Sequence, residues 1–323
     1  MRTSVRGVSM MMRFKVQRMV FCLSILGMTM GGWGCAGRNS QQDVFKEYRE
    51  RLERQQAALA NEEAASKKGP ELSAEEYERL GDSYLRQGNM DMAFIQYNKA
   101  LRLNPSQIGI RYKRGRLFLE KGLYEEAKNE FQEVLKAEPN HALAYEGMGR
   151  AYFSMQEFSE AEKSFLQAIK YDSGQWQAHN FLGIIYDRQG AFDAALAHYN
   201  AAIALHPKTG ILHNNKGMSL YRKGEHERAV DAFSEALRLE PSNERVYNNL
   251  ALALCKLGRY QEGLEAFKKG GDEAVAYNNL GCVYMAEGKH KEAIEVFEKA
   301  IEIKPGFYVS AHENLKRAKA SAP

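Results

Sequence analysis

Small and bulky side chains recur along this chain with a spacing of 34 residues. Glycine marks the repeat at 81, 115, 149, 183 and 217, Ala251 continues the series, and Gly281 follows after only 30 residues. Three residues after each marker stands Tyr84, Phe118, Tyr152, Tyr186, Leu220, Leu254 or Tyr284. Twelve after it come Ala93, Ala127, Ala161, Ala195, Ala229, Gly263 and Ala293. Sixteen after it come Tyr97, Phe131, Phe165, Tyr199, Phe233, Phe267 and Phe297. Pro105, Pro139, Pro207, Pro241 and Pro305 close five units, and Ser173 holds that place in the third. Such a period predicts stacked two-helix units, each burying its apolar face against its neighbours. A small marker lets the two helices of a unit cross closely, the alanine does the same from the second helix, and the aromatics fill the space beside the contact. Glycines at 88, 122, 190, 224, 258 and 288 are placed to form the turn between the helices. Proline ends the second helix because it cannot continue the hydrogen-bond ladder.

This pattern resembles the tetratricopeptide repeat. The resemblance covers residues 74–307 in seven units and implies an all-α fold, a right-handed α-solenoid of helix-turn-helix units. Residues 308–323 complete the chain as a capping helix and tail, with Lys316, Arg317 and Lys319 near its end, where cations are favoured. Unit six, residues 244–273, is four residues short, about one helical turn. Its second helix carries Gly263 and Gly270 where other units mostly have alanine. A truncated helix and a bend or soft joint before unit seven are therefore expected.

Six and three residues before each marker, and one and four after it, lie positions that share one face of the first helix. The resemblance implies that this face lines a concave groove in which peptides bind. Units one to three offer Glu78, Asp82, Tyr112, Arg116, Glu146 and Arg150. Units four to seven offer Asn180 with Ile184, Asn214 with Met218, Asn248 with Leu252, and Asn278 with Cys282. Tyr221, Cys255 and Met285 lie one turn further on. The face is expected to change from ionic to apolar with an amide edge. Asn215, Asn249 and Asn279 form a second row, in the phrases "HNNKG", "YNNLA" and "YNNLG". An asparagine amide both donates and accepts, so it can pair with the backbone of an extended peptide whatever its sequence. The row resembles the asparagine ladders of tetratricopeptide proteins that bind such peptides. Equally, it can bond between neighbouring helices, and the apolar positions can complete packing between units.

The chain has 323 residues, 44% hydrophobic and 27% charged, a composition that suits a folded body. Its formal charge of +4 arises at the start, where Arg2, Arg6, Arg13, Lys15 and Arg18 precede any acidic residue. The remainder is nearly balanced, which argues against nucleic acid as a partner. Residues 1–34 read as an export signal: a basic stretch, the apolar "MVFCLSILGMTM", then "GGWGCAG". The last resembles a lipoprotein cleavage site with Cys35 as the lipidated residue. The alternative is an uncleaved apolar anchor from Met19 to about Gly37. Both readings tether the body to a membrane outside the cytoplasm, with residues 35–73 as a polar, partly helical tether.

No constellation for catalysis stands out. "GMG" at Gly147 to Gly149 belongs to a helix and reads as packing, not as a phosphate loop. His179 and His213 occupy equivalent places in successive units and read as a stacking pair between repeats, not as a metal site. Cys255 and Cys282 fall on first helices of units six and seven. They can form a disulfide bracing the joint, or pack as two small thiols. Signal, tether, seven units and cap leave no space for a catalytic domain, so neither an enzyme nor a cofactor or small-molecule substrate is expected.

Beyond the generic repeat, "NNKGMSLYRKGEHERAVDAFSEALRLEP" and "YNNLALALCKLGRYQEG", with the lipoprotein-like start and the shortened unit, resemble the repeat lipoproteins of tight-adherence (Flp-type) pilus and secretion systems. That resemblance implies an outer-membrane lipoprotein facing the periplasm. It would be a scaffold holding a protein or peptide, such as a secretin or another pilus component. A type IV pilus lipoprotein that helps secretin subunits reach the outer membrane stands beside it, as does a general envelope adaptor for a protease or wall enzyme.

Overall fold

The computed structural model describes residues 72–305 and 309–321, and upstream Glu50, Arg54 and Ala57. The chain divides after Gly69 into two units. In the first, the three described residues are helical and Arg54 pairs with Glu50 at 3.1 Å. The signal segment, Cys35 and most of the tether lie outside the described residues. No described helix is long and apolar enough to cross a membrane.

The second unit is a run of fifteen helices with no strand among the described residues. They pair as α1 (Ala74–Arg86) with α2 (Met90–Leu103), α3 (Ile108–Glu120) with α4 (Tyr124–Ala137), and α5 (Ala142–Ser154) with α6 (Phe158–Tyr171). Next come α7 (Trp176–Arg188) with α8 (Phe192–Leu205), α9 (Gly210–Lys223) with α10 (His226–Leu239), and α11 (Glu244–Lys256) with α12 (Tyr260–Lys269). The seventh pair is α13 (Glu273–Ala286) with α14 (His290–Ile303), followed by the capping helix α15 (Val309–Ser321). Each hairpin packs on the next, and this is the tetratricopeptide solenoid that the period predicts.

Helix starts follow local chemistry. Ser73 and Glu76 close a reciprocal capping box on α1, and Asn243 and Asp272 cap α11 and α13. Helix ends do too. The residue before each closing proline is forced towards extended backbone, as at Glu240 with ψ 77°. In the turn between α9 and α10, Gly224 has φ 91°. Unit three lacks the glycine, and Gln156 takes the same left-handed conformation at φ 65°.

The marker glycine has a more specific reason than helix crossing alone. It lies directly beneath the ring that its own second helix carries. A Cβ on Gly183 would sit 2.5 Å from Tyr199, and one on Gly217 would sit 2.6 Å from Phe233. Phe233 and Phe297 are fully buried over their glycines. Gly149 packs in the same way against Phe165, and Gly147 lies against Phe131 of the preceding unit. The "GMG" phrase is therefore helix packing.

Unit six departs from this rule. Its second helix has 10 residues, against 14 in the second helices of its neighbours. Gly270 is its C-cap, not an interior residue. A Cβ there would meet the Glu244 carbonyl at 3.0 Å and Asn248 Oδ1 at 3.1 Å. The apolar core nevertheless crosses the joint, where Leu264 and Phe267 cluster with Ala276, Leu280 and Val283. Lys268 also reaches Glu273 at 3.1 Å.

Neither the disulfide that the sequence left open nor the expected histidine stack is formed. No disulfide joins Cys255 and Cys282. Cys255 turns into its own hairpin, where it occupies the space beside Gly263, while Cys282 lies at 3.5 Å from the Asn314 amide of the cap. His179 and His213 do not stack on each other. His179 meets His198 inside unit four with Nδ1 atoms 3.0 Å apart, and His213 bonds the Pro207 carbonyl at 2.9 Å. Among the described residues no group of three or more His, Cys, Asp or Glu could hold a metal.

Candidate functional site

The candidate groove residues all lie on the first helices. Consecutive first helices from α3 to α11 pack side by side, as do α13 and α15. Between units four and five and between units five and six the residue three before one marker meets the residue two before the next. The sequence reading singled out both positions separately and missed that they face each other across a spacing of 35 residues, as Asn180 and Asn215 do.

The N-terminal junction is ionic. Lys113 bonds both Glu78 and Asp82 at 2.7 Å, and Tyr97 donates to Asp82 at 2.7 Å. Burial pushes the Asp82 carboxyl up, but the bonds from Lys113 and Tyr97 outweigh it and hold the group below its ordinary value. Lys113 was not a sequence candidate. The signal for it was present, as a cation 35 residues after Glu78.

The next two junctions are not polar pairs. The Tyr112 ring lies 5.2 Å from His141. Phe181, 35 residues after Glu146, stacks on Phe165 at 5.0 Å. Burial holds the Glu146 carboxyl above its ordinary range, and the charges of Arg150 and Arg116 only partly oppose it.

From unit four the junction becomes an amide row. Asn215 donates to Asn180 at 2.9 Å, and Asn249 donates to Asn214 at 2.9 Å. The row breaks between units six and seven. Asn248 turns to the carbonyls of Glu244, at 3.0 Å, and Gly270, at 3.4 Å. Among the described residues Asn279 makes no hydrogen bond through its side chain. The row resumes at the cap, where Asn314 donates to Asn278 at 2.9 Å. Most candidate asparagines thus hold neighbouring helices together. Asn214 and Asn278 are buried, whereas Asn180, Asn215, Asn248, Asn249 and Asn279 are half-buried.

Beside the row, Ile184, Met218, Tyr221 and Leu252 are half-buried, not sealed into the core. Cys255 is sealed, and burial pushes its thiol up to about 12, which leaves it an unreactive packing group.

Residues 112–154, 146–208 and 274–307 match models described as tetratricopeptide repeat, and 81–122 and 217–258 match one described as TPR repeat. Together the matches cover well over half of the chain, which belongs to the tetratricopeptide repeat proteins. The structure is similar to a tetratricopeptide repeat protein from Parabacteroides merdae, with a TM-score of 0.54 at 16% identity over 76% of this chain and 98% of that one. A chain of the APC/C hetero-tetramer Cut9–Hcn1 gives 0.54 at 21% identity, over 74% of this chain and 48% of that one. MamA gives 0.46 at 26% identity, over 51% of this chain and 97% of that one. A search of the curated proteins finds no match. The family models that match describe a repeat, and none describes an enzyme.

Proposed function

We propose that this chain is a non-catalytic scaffold that grips a protein partner, as an extended peptide, along the face of its first helices in units four to seven. One observation carries the reading. On that face Ile184, Met218, Tyr221 and Leu252 stay partly open, and in unit seven the Asn279 amide has no hydrogen-bond partner among the described residues. Half-open apolar groups and an unused amide suit a peptide that buries side chains and pairs its backbone. The amides that already join helices contribute less than an unpaired row would, so the contact centres on the break at Asn279.

The envelope setting and the role in assembling a pilus or secretion apparatus rest on the sequence resemblance and on the lipoprotein-like start at Cys35. Crosslinking in membranes, followed by capture of wild type and of Met218→Lys with Leu252→Lys, tests the whole reading. A secretin or pilin crosslink that the double variant loses supports it. Retention of every partner by the variant would show that this face is packing only. Recovery of proteases or wall hydrolases instead would move the chain to the general adaptors. Cys35→Ser should release the protein from the membrane fraction; if it stays bound, the mooring is not a lipid on that residue.

A further inference from the structure

Two sulfur atoms and an imidazole come together at one end of the unit-seven hairpin. Cys282 and Met285 lie three residues apart on α13, on one face of that helix. His290 opens α14, and its Nδ1 stands 3.5 Å from Met285 Sδ. Cys282 and Met285 pack against the same core patch of Ala293, Phe297 and Ala318, and Ala293 lies one turn beyond His290. All three side chains are half-buried. Their places are one, four and nine residues after the marker, and no other unit has this set there. Unit five has Met218, Tyr221 and His226, and the two rings meet at 5.3 Å. Unit six has Leu252, Cys255 and Tyr260. Two amide N–H groups also point at the Cys282 sulfur, from Asn314 of the cap at 3.5 Å and from Asn278 at 4.0 Å. Asn314 is fixed in turn by its bond to Asn278 at 2.9 Å.

We propose that Cys282, Met285 and His290 form a binding site for a soft monovalent cation, Cu(I). Thiolate and thioether sulfur select Cu(I) over hard ions, and imidazole suits copper as well. His and Cys alone are too few here, and the thioether completes the set. A metal about 2.0 Å from nitrogen and about 2.3 Å from sulfur holds those atoms roughly 3.5 Å apart at a tetrahedral angle. That is the spacing already present between His290 and Met285. Binding forms two Cu–S bonds and one Cu–N bond, and the Cys282 thiol releases its proton to water. The copper keeps its oxidation state. Cation and thiolate cancel, so no net charge is left in a half-buried place. Asn314 and Asn278 supply the outer shell that holds a thiolate ligand. The bound ion clips α13 to α14 beside the cap.

The test is anaerobic titration of the reduced, detergent-solubilised full chain with Cu(I) held by bicinchoninate, a coloured chelator whose absorbance reports the copper withdrawn. Wild type should withdraw one equivalent more than Cys282→Ser, a difference that discounts copper held by the other cysteines and methionines. Met285→Leu and His290→Phe should each hold that equivalent about tenfold or more weakly. Ag(I) should compete for it, and Zn(II) should not. X-ray absorption of wild type loaded with one equivalent of Cu(I) should show two sulfur ligands and one nitrogen, a readout that needs no variant to fold. Equal uptake by wild type and Cys282→Ser would overturn the site, as would undiminished affinity in either Met285→Leu or His290→Phe. A copper sphere without nitrogen would overturn it too. Displacement of the copper by equimolar Zn(II) would overturn its assignment to Cu(I).

Discussion

Units five and six are neighbours that solve one packing problem from opposite sides. In unit five the first helix gives way, with Gly217 bare beneath Phe233 and Ala229 on the second helix. In unit six the first helix carries Ala251, and the second gives way at Gly263. A Cβ there would stand 2.5 Å from Cys255 Sγ and 3.2 Å from the Ala251 carbonyl. The close crossing is common to both, while the helix that yields the space is not. Unit six also ends α12 early, and the amide row fails at the junction that follows. Asn249 reaches Asn214 between units five and six, but between six and seven Asn279 reaches no hydrogen-bond partner among the described residues. A lost turn is about 5 Å of helix, comparable to the reach of an asparagine side chain. Packing within a hairpin is thus met by local exchange, whereas bonding between units depends on each second helix keeping its length.

The largest test of that contrast removes the rings. Phe233→Ala should cost about 3–5 kcal/mol, because the ring is fully buried over a glycine that cannot fill the void. Phe267→Ala should cost less, since Ala251 leaves a methyl on the floor of the cavity. Urea unfolding midpoints compare the two, and equal losses would mean that the exchange of small residues does not change the crossing. Gly263→Ala should cost about 1–3 kcal/mol by overpacking Cys255. Cys255→Ala should relieve most of it in a double-mutant cycle. Additive losses would show that Gly263 serves something other than the close approach.

The amide row gives a smaller and more local contrast. Asn249→Ala removes the donor to Asn214 Oδ1 and should lower stability by about 0.5–1.5 kcal/mol. Asn279→Ala removes no bond among the described residues and should leave the unfolding midpoint where it is. A stability loss at Asn279 equal to that at Asn249 would mean that the row is continuous across the joint.

Much of this was legible in the residues. The period located the first and second helices, their turns and the short unit, because glycine, alanine, ring and proline each answer a steric demand that repeats. The pairing of side chains between units was not. The 35-residue offset that sets Lys113 on Glu78 and Asn215 on Asn180 depends on how hairpins lean on one another, and no single unit contains it. The two histidines illustrate the same gap. His179 and His213 share a place in the repeat, yet His198, fifteen residues after the marker Gly183, supplies the partner from the same hairpin. For the cysteines, equal helices did not mean facing thiols, because Cys255 and Cys282 stand one turn apart relative to their markers. Gly270 was legible as a helix weakener and proved to be a terminus whose backbone lies against Glu244 and Asn248.

The smallest expected effect concerns pH and separates unit four from unit six. His179 and His198 hold each other by Nδ1 atoms at 3.0 Å, so one must donate and the other accept, which leaves no room for a proton on both. Burial lowers the affinity of both rings for a proton. At His179 the like charge of His198 adds to this, and at His198 the Glu162 carboxylate works against it. Glu162 also accepts from Tyr186, whose ring stacks on His198 at 5.4 Å. A histidine depressed in the folded state is neutral there while the unfolded chain already takes up a proton. Stability is therefore full above the ordinary histidine value of 6.5 and is lost as the pH falls below it. Unit six has Tyr247 and Ala266 in the same two places and no imidazole between its helices. Hydrogen-exchange protection, corrected for intrinsic rate, should fall in α7 and α8 between about pH 7.5 and pH 5.5 and hold steady in α11 and α12. His179→Phe should flatten the response of unit four. A response that persists in that variant, or one of equal size in unit six, would locate the pH sensitivity elsewhere.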